Sequence, residues 1–251
     1  MSVTAIRIIV LLVATGASAA SPALAQEPAA ATRPVEVSGN LNVNTKGISQ
    51  VPALTLGRPS AIFDLAVRKG DASFEPQFRF GLDGKPWSFL LWGRYRVTRE
   101  KFRLTAGAHP AFSFRTRSTS VNGATQNVIE ARRYLAFDVA PSYGLSPTTS
   151  IGAYYLYGYG VDPGAAKHTH LLAARTTVTN VTLFNDYSVQ VAPQFYFLKT
   201  NGQSGTYLSA TASLGRRGWP FSIATIINQP IQTDVAGGMD FLWNVGLNYT
   251  F

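Results

Sequence analysis

The sequence predicts an all-β fold, an antiparallel transmembrane up-and-down β-barrel of about twelve strands. From Val35 on, apolar and polar residues alternate with a period of two nearly everywhere, and a helical period of about 3.6 is nowhere convincing. Charged residues make up only 14% of the chain, whereas 15 Phe, 11 Tyr and 4 Trp enrich it in aromatic side chains. The chain also ends in FLWNVGLNYTF, in which every odd-numbered residue is large and apolar.

The first residues have the three parts of a secretory signal peptide in order. Arg7 supplies the positive charge, a short apolar run follows, and Ala23-Leu24-Ala25 fits the A-x-A cleavage pattern. An N-terminal membrane anchor is the alternative, but the run is shorter than the about 20 residues needed to span a bilayer. The predicted organisation is a cleaved signal peptide over 1–25, a Pro/Ala linker over 26–34 and the barrel over 35–251.

The composition excludes several other classes of protein. The chain has no Cys, so it has neither a disulfide framework nor thiolate metal ligands. After the signal peptide, no apolar run approaches the about 18 residues of a transmembrane helix. The net charge of +9 is moderately basic. Because an exported protein rarely meets nucleic acid, we expect outer-membrane lipids, lipopolysaccharide phosphates or small anionic solutes as partners, and no nucleic acid.

Aromatic residues near the ends of the predicted strands favour a membrane barrel over a soluble one. Trp87, Tyr95, Trp219, Trp243 and Tyr249 are placed like the interfacial aromatic girdles of such barrels. A soluble β-sandwich or a lipocalin-like barrel would also alternate, but its polar face would meet bulk water and carry many Lys and Glu residues. Here the polar face consists mainly of Asn, Thr, Ser, Gln, Gly and Arg.

The connections between strands predict which end of the barrel faces the periplasm. If the N-terminus starts there, the short RKGDA, TREK and RRG fall at periplasmic positions. The longer KGISQVPALTLGRPS, RSTSVNGATQ, GYGVDPGAAKHT and NQPIQTDVAGGM fall at extracellular positions. Two connections disagree with this pattern, because LDGK is short on the outside and PSYGLSPTT is long on the inside. Ten or fourteen strands therefore remain alternatives to twelve.

The polar face of the first half is rich in charge and supplies the candidate functional residues. The candidate lumen-lining residues are Asp64, Arg68, Glu75, Arg79, Arg94, Arg96, Arg103, Arg115, Arg117, Glu130, Arg132, Asp138 and Arg175. Arg outnumbers acidic residues, and an inward set of permanently charged guanidinium groups raises the local concentration of anions. This excess predicts a small passive diffusion pore with a preference for anions.

An alternative interpretation is a non-conducting structural or binding barrel. Arg68, Arg79, Arg94 and Arg132 would then pair across strands with Asp64, Glu75, Glu130 and Asp138 and hold the barrel in shape. A barrel of about twelve strands lies between the small barrels that side chains fill and the larger ones that leave an aqueous channel. Composition alone therefore leaves the two interpretations open.

Signals for enzymes and metals are weak, and the sequence predicts no catalytic, cofactor-binding or metal site. His168 and His170 lie on one face of a strand, but no third ligand is near them. An outer-membrane lipid hydrolase with a Ser-His dyad is a third, less favoured alternative. No His lies two residues before Ser204, and His109 is predicted to point inward.

The signal peptide, the alternation and the terminal aromatic strand together resemble the Gram-negative outer-membrane β-barrel proteins, a porin-like superfamily. The resemblance covers about residues 35–251. It implies integral localisation in the bacterial outer membrane and insertion by the barrel assembly machinery. In that class the terminal strand is the assembly signal, which here places the signal at Trp243, Leu247, Tyr249 and Phe251.

Overall fold

The computed structural model describes residues 34–121 and 124–251, in which 12 antiparallel strands close into a barrel. The strands are β1 (Val35–Asn44), β2 (Ser60–Lys69), β3 (Ala72–Gly81), β4 (Pro86–Arg99), β5 (Phe102–Val121), β6 (Ala124–Gly144), β7 (Thr149–Gly160), β8 (His168–Phe184), β9 (Tyr187–Thr200), β10 (Gln203–Arg216), β11 (Phe221–Thr233) and β12 (Leu242–Thr250). Each strand pairs with its neighbours in sequence, and β12 pairs with β1. The predicted fold and strand number are confirmed, whereas the predicted signal peptide and nearly all of the linker lie outside the described residues.

The two faces of each strand follow the period of two. Large apolar side chains such as Phe63, Phe137, Leu208 and Ile223 lie on the outer face and are exposed. Polar and charged side chains lie on the inner face, which is the pattern of a barrel that crosses lipid. Closure satisfies the backbone hydrogen bonds between strands without water, as the hydrocarbon region requires. Within the two described ranges, no helix is long and apolar enough to cross a membrane.

The connections make the two ends of the barrel unequal. One end, here called the turn end, has the connections 70–71, 100–101, 145–148, 185–186 and 217–220. The opposite end, called the loop end, has the connections 45–59, 82–85, 161–167, 201–202 and 234–241. The longest of these is the loop over 45–59, called L1, which contains a short 3₁₀ turn, Pro52–Leu54.

Two predicted loops are partly strand. In RSTSVNGATQ the strand pairing between β5 and β6 continues from Arg117 with Val128 up to Val121 with Ala124. In NQPIQTDVAGGM, β11 continues to Thr233. Residues 117–120 and 125–127 are polar on both faces, so the alternation disappears although the backbone pairing continues. The connection within PSYGLSPTT is also shorter than predicted, because its first residues belong to β6 and only 145–148 lie between the strands.

Trp87 lies inside the barrel, which corrects its predicted place in an outer girdle. The register shifts where Arg79 pairs with Ser88 but Phe80 pairs with Pro86, so β4 carries one extra residue. This β-bulge turns Trp87 inward, and its side chain is buried. Counting in steps of two along β4 cannot detect an inserted residue.

The barrel closes between β1 and β12, beside the end of the chain. The Phe251 amide donates to the Gly39 carbonyl at 3.0 Å, and the Gly39 amide donates to the Phe251 carbonyl at 2.9 Å. The Phe251 ring covers Gly39 so closely that a Cβ atom there would have no room. On the inner face, Asn42 bonds to both Asn248 and Asn44. The closing seam is therefore aromatic outside and amide-lined inside.

Candidate functional site

The candidate lumen-lining residues lie on the inner-face positions of β2 to β6 and β8. The structure places them as Asp64 and Arg68 on β2, Glu75 and Arg79 on β3, Arg94 and Arg96 on β4, Arg103, Arg115 and Arg117 on β5, Glu130, Arg132 and Asp138 on β6, and Arg175 on β8. The charge is therefore concentrated on the part of the barrel wall that β2 to β6 form. These residues divide into an ion-paired group and an unpaired group.

An ion-pair network centred on Arg94 joins β3, β4 and β6. Arg94 Nη1 lies 2.7 Å from Asp138 Oδ2, and Arg94 Nε lies 3.1 Å from Glu75 Oε2. The Asp138 side chain is fully buried. Gly107 on the intervening β5 makes the contact possible, because a Cβ atom there would lie 2.8 Å from Asp138 Oδ1. The network holds four adjacent strands in register on the inner face.

Further ion pairs lie on the same part of the barrel wall, on β5 and β6. Arg132 Nε lies 2.8 Å from Glu130 Oε1, and Arg117 reaches the same carboxylate at 3.7 Å. Arg79 was predicted to join an ion pair, as was Asp64. Instead Arg79 donates to Gln77 Oε1 at 2.6 Å, and the Gln77 amide donates to Asp64. The neutral amide therefore stands between the two charged groups.

The turn-end half of the lumen holds a cavity of about 750 Å³ that we call the arginine basin. Arg96, Arg103 and Arg175 line it, together with Glu100, Lys101 and the hydroxyl groups of several Thr and Ser residues. None of the three Arg residues forms an ion pair with any other described residue. Arg96 Nε is buried and has no hydrogen-bond partner among the described residues. The basin is therefore a cationic space with free donor groups.

L1 folds into the lumen at the loop end and contacts strands on several sides of it. The Leu54 carbonyl accepts a hydrogen bond from Trp87 Nε1 at 2.7 Å. The Ala53 carbonyl accepts one from Arg115, and the Tyr196 hydroxyl on β9 lies 3.3 Å from the Gln50 carbonyl oxygen. L1 is thus attached to β4, β5 and β9, and it narrows the lumen.

A backbone neck closes the base of L1. The Gly47 amide donates to the Arg58 carbonyl at 2.9 Å, and the Gly57 amide donates to the Gly47 carbonyl at 3.1 Å. The residues between Gly47 and Gly57 therefore form a compact lobe that leaves and re-enters the barrel wall at nearly the same place.

An apolar cluster packs beside L1 on the β8 to β10 side of the loop-end half of the lumen. Tyr196 and Tyr207 stack with ring centroids 4.8 Å apart, and neither ring is exposed. Leu171, Leu198 and Val235 complete the cluster, and Val51 of L1 packs against it. One feature of the sequence indicates this cluster, because the run from Phe195 to Leu198 is apolar or aromatic on both faces of β9.

The candidate metal and catalytic residues do not come together. His168 and His170 lie on the outer face, and each Nδ1 atom is 2.9 Å from a Tyr hydroxyl, of Tyr157 and Tyr155 respectively. In the part of the chain that the structure describes, no group of three or more His, Cys, Asp or Glu residues could hold a metal ion. His109 is buried on β5 against Trp92, with ring centroids 3.7 Å apart, whereas Ser204 is on β10.

Solved structures with a similar fold include several outer-membrane porins. The KdgM porin is 9% identical over 85% of this chain and 99% of its own, with a TM-score of 0.50. The NanC porin is 12% identical over 84% and 97%, with a TM-score of 0.47. The outer membrane channel DcaP of Acinetobacter baumannii is 11% identical over 86% and 97%, with a TM-score of 0.37.

No family model and no curated protein matches the chain. At such low identity, the likeness to KdgM shows the fold alone. The chain has the closed, antiparallel barrel fold of outer-membrane porins.

Proposed function

We propose that this barrel is a passive outer-membrane pore for small anions, with its loop end outside the cell and its turn end in the periplasm. The exposed apolar outer face and the closed backbone pairing suit a bilayer. Bacterial barrels have short periplasmic turns and longer extracellular loops, and this rule supports the orientation.

The anion preference rests on one observation, the unpaired Arg96, Arg103 and Arg175 of the arginine basin. Ion pairing on the neighbouring wall neutralises Arg94 and Arg132, so those residues contribute little net field. The basin residues keep their full charge because a guanidinium group does not deprotonate in proteins. A low-dielectric wall around an aqueous cavity concentrates that field and enriches anions inside it.

A planar-bilayer recording in a salt gradient tests this preference. The purified barrel should give a reversal potential that favours chloride over potassium. Replacing all three basin residues, as Arg96→Gln, Arg103→Gln and Arg175→Gln, should move the reversal potential towards zero or towards potassium. A matched control removes three positive charges elsewhere, as Arg133→Gln, Arg216→Gln and Arg217→Gln, and should leave the reversal potential unchanged. Cation selectivity of the unaltered protein would overturn the proposal.

A second candidate function, a non-conducting barrel, is favoured by L1 and the packed loop-end half. The neck of L1 offers a clean test, because deleting residues 48–56 joins Gly47 to Gly57 across an existing hydrogen bond. For a pore narrowed by L1, the shortened protein should conduct more than the unaltered protein and keep its anion selectivity. If both proteins insert and neither conducts, the second candidate replaces the first.

Assembly by the barrel machinery belongs to the same proposal. Trp243, Leu247, Tyr249 and Phe251 share the outer face at the end of the chain, and all four side chains are exposed. Their position on the closing strand supports a role as the recognition signal. No step of the proposed transport function depends on them.

A further inference from the structure

At the loop end, the outer face of β7, β8 and β9 carries polar and cationic groups next to the apolar band of the wall. Three Tyr residues, Tyr155, Tyr157 and Tyr159, alternate along β7. Cross-strand pairing sets Tyr157 opposite His170 and Tyr159 opposite His168, and it sets His170 opposite Lys199 on β9. With Lys167, these seven residues form what we call the rim patch, at the loop end of the barrel.

Hydrogen bonds orient the imidazole groups of the rim patch. The Tyr155 hydroxyl lies 2.9 Å from His170 Nδ1, and the Tyr157 hydroxyl lies 2.9 Å from His168 Nδ1. When each hydroxyl donates to Nδ1, the proton of a neutral imidazole sits on Nε2. The Nε2 atom is then a fixed donor group on the outer surface. Two such donors stand side by side on β8, two residues apart.

No described carboxylate lies within ion-pair distance of the cations of the rim patch. Lys167 Nζ donates to the Gly160 carbonyl at 3.1 Å and lies 5.5 Å above the Tyr159 ring, and its side chain is exposed. Lys199 is exposed too. Neither forms an ion pair with another described residue. The nearby Asp162 is already bound by Arg133, at 2.6 Å from its Nη2 atom.

Such a patch destabilises a barrel in a bilayer unless an anion binds to it. Outward cations within the apolar zone destabilise a barrel in a depth-dependent way, and the cost nearly vanishes at the interface where head groups lie. Lys and imidazole donors match phosphate oxygens, and the Tyr rings match the boundary between acyl chains and head groups. The rim patch therefore fits an amphiphile with a phosphorylated head, held at the level of the loop end.

We propose that the rim patch binds the phosphate of a phosphorylated glycolipid in the outer leaflet, with Lys167 and Lys199 as its cationic contacts and His168 and His170 as hydrogen-bond donors. The proposal rests on the proposed function only in assigning the loop end to the outer leaflet. It does not depend on conduction through the lumen.

The test is a titration of the full-length barrel in neutral detergent with lipid A carrying two phosphates, followed by native mass spectrometry. The unaltered barrel should bind it saturably. Because each basic residue near an anionic surface contributes about a fivefold gain in binding, Lys167→Gln with Lys199→Gln should weaken binding about thirtyfold. Lipid A from which both phosphates have been removed should bind the unaltered barrel and this variant with equally weak affinity.

The opposite rim supplies the matched control. Lys69→Gln with Arg99→Gln removes two outward charges at the turn end and should leave lipid A affinity unchanged. Equal weakening by both double variants would overturn the proposal, because binding would then follow net charge. Equal affinity for phosphatidylglycerol would overturn it too, since the site would not distinguish a glycolipid.

A third variant keeps the proposal falsifiable if a Lys variant folds poorly. His168→Phe with His170→Phe keeps the ring packing of the rim patch and removes both imidazole donors. This variant should also weaken lipid A binding. Unchanged affinity would contradict the proposed role of the two imidazole groups as donors to the phosphate. The reversal potential of each variant should equal that of the unaltered protein, so failure here is distinguishable from failure of the pore.

Discussion

The two halves of the lumen share strands β7 and β8 but differ in chemistry on that side of the barrel. The loop-end half is packed with Tyr196, Tyr207 and their apolar neighbours, and L1 lies against them. The turn-end half holds a cavity of about 750 Å³ whose lining includes three unpaired Arg residues and several hydroxyl groups. The Arg94 network lies on the wall beside the basin. One barrel therefore holds a core-like apolar cluster and a charged cavity along the same axis.

The largest expected effect is on the stability of the apolar cluster at the loop end. Tyr207→Ala removes a fully buried ring from the loop-end cluster and leaves a cavity, so we expect a loss of about 3 to 5 kcal/mol in the free energy of unfolding. Urea unfolding of the barrel in lipid vesicles measures this. Leu208→Ala, one residue along but exposed on the outer face, is the control and should cost far less. Equal losses would show that the loop-end half is not a packed core.

The ion-pair network should come next in size. Asp138→Asn keeps the shape of the side chain but removes a buried charge from Arg94, which keeps Glu75. We therefore expect a loss of about 2 kcal/mol, below the value for a fully stranded buried charge. The control is Asp186→Asn at the exposed pair with Arg216, where a change within about 0.5 kcal/mol is expected. Urea unfolding compares the two variants, and a negligible effect of Asp138→Asn would contradict a supporting role for the network.

Removal of Phe251 should act on assembly more than on stability. The residue lies beyond β12, so its loss leaves all twelve strands and costs only its contacts with Gly39 and Tyr249. The amount of barrel that reaches the outer membrane should fall, while unfolding of the inserted fraction changes little. Phe221→Ala, which trims another exposed ring at the turn end, is the control. Normal levels of the truncated protein in the membrane would contradict the role of the terminal residue.

The smallest effect concerns a loop contact outside the membrane-spanning part. Hydrogen bonds from the Arg133 guanidinium, and then from its amide, lower the pKa of Asp162 to about 2. A lowered pKa means that the contact is complete at neutral pH and is lost as the pH falls through that value. Hydrogen exchange at the Arg133 amide should therefore stay protected down to about pH 4. Loss of protection already near pH 5 would contradict the strength of this contact, and Asp162→Asn should remove its pH dependence.

The sequence predicted what depends on alternation and missed what depends on contacts between distant segments. Strand number and the inner positions of Arg96, Arg103 and Arg175 follow from a period of two that the lipid imposes on nearly every strand. Trp87 was misplaced because a one-residue bulge reverses the parity. The path of L1 into the lumen could not be predicted, since the Trp87–Leu54 hydrogen bond joins residues far apart in the chain.

The basin and the ion-paired wall could not be separated from the sequence either. Both contain inward Arg residues on alternating positions, and only the distances show that Arg94 meets two carboxylates whereas Arg96 meets none. A count of charges therefore predicts the excess of Arg but not where the uncompensated charge lies.

The most direct test of the central claim is the reversal potential of the unaltered barrel in a planar bilayer under a potassium chloride gradient, recorded beside the Arg96→Gln, Arg103→Gln, Arg175→Gln variant. The account predicts a chloride-selective potential that the triple variant loses. A potassium-selective potential, or a potential that the triple variant leaves unchanged, would contradict it.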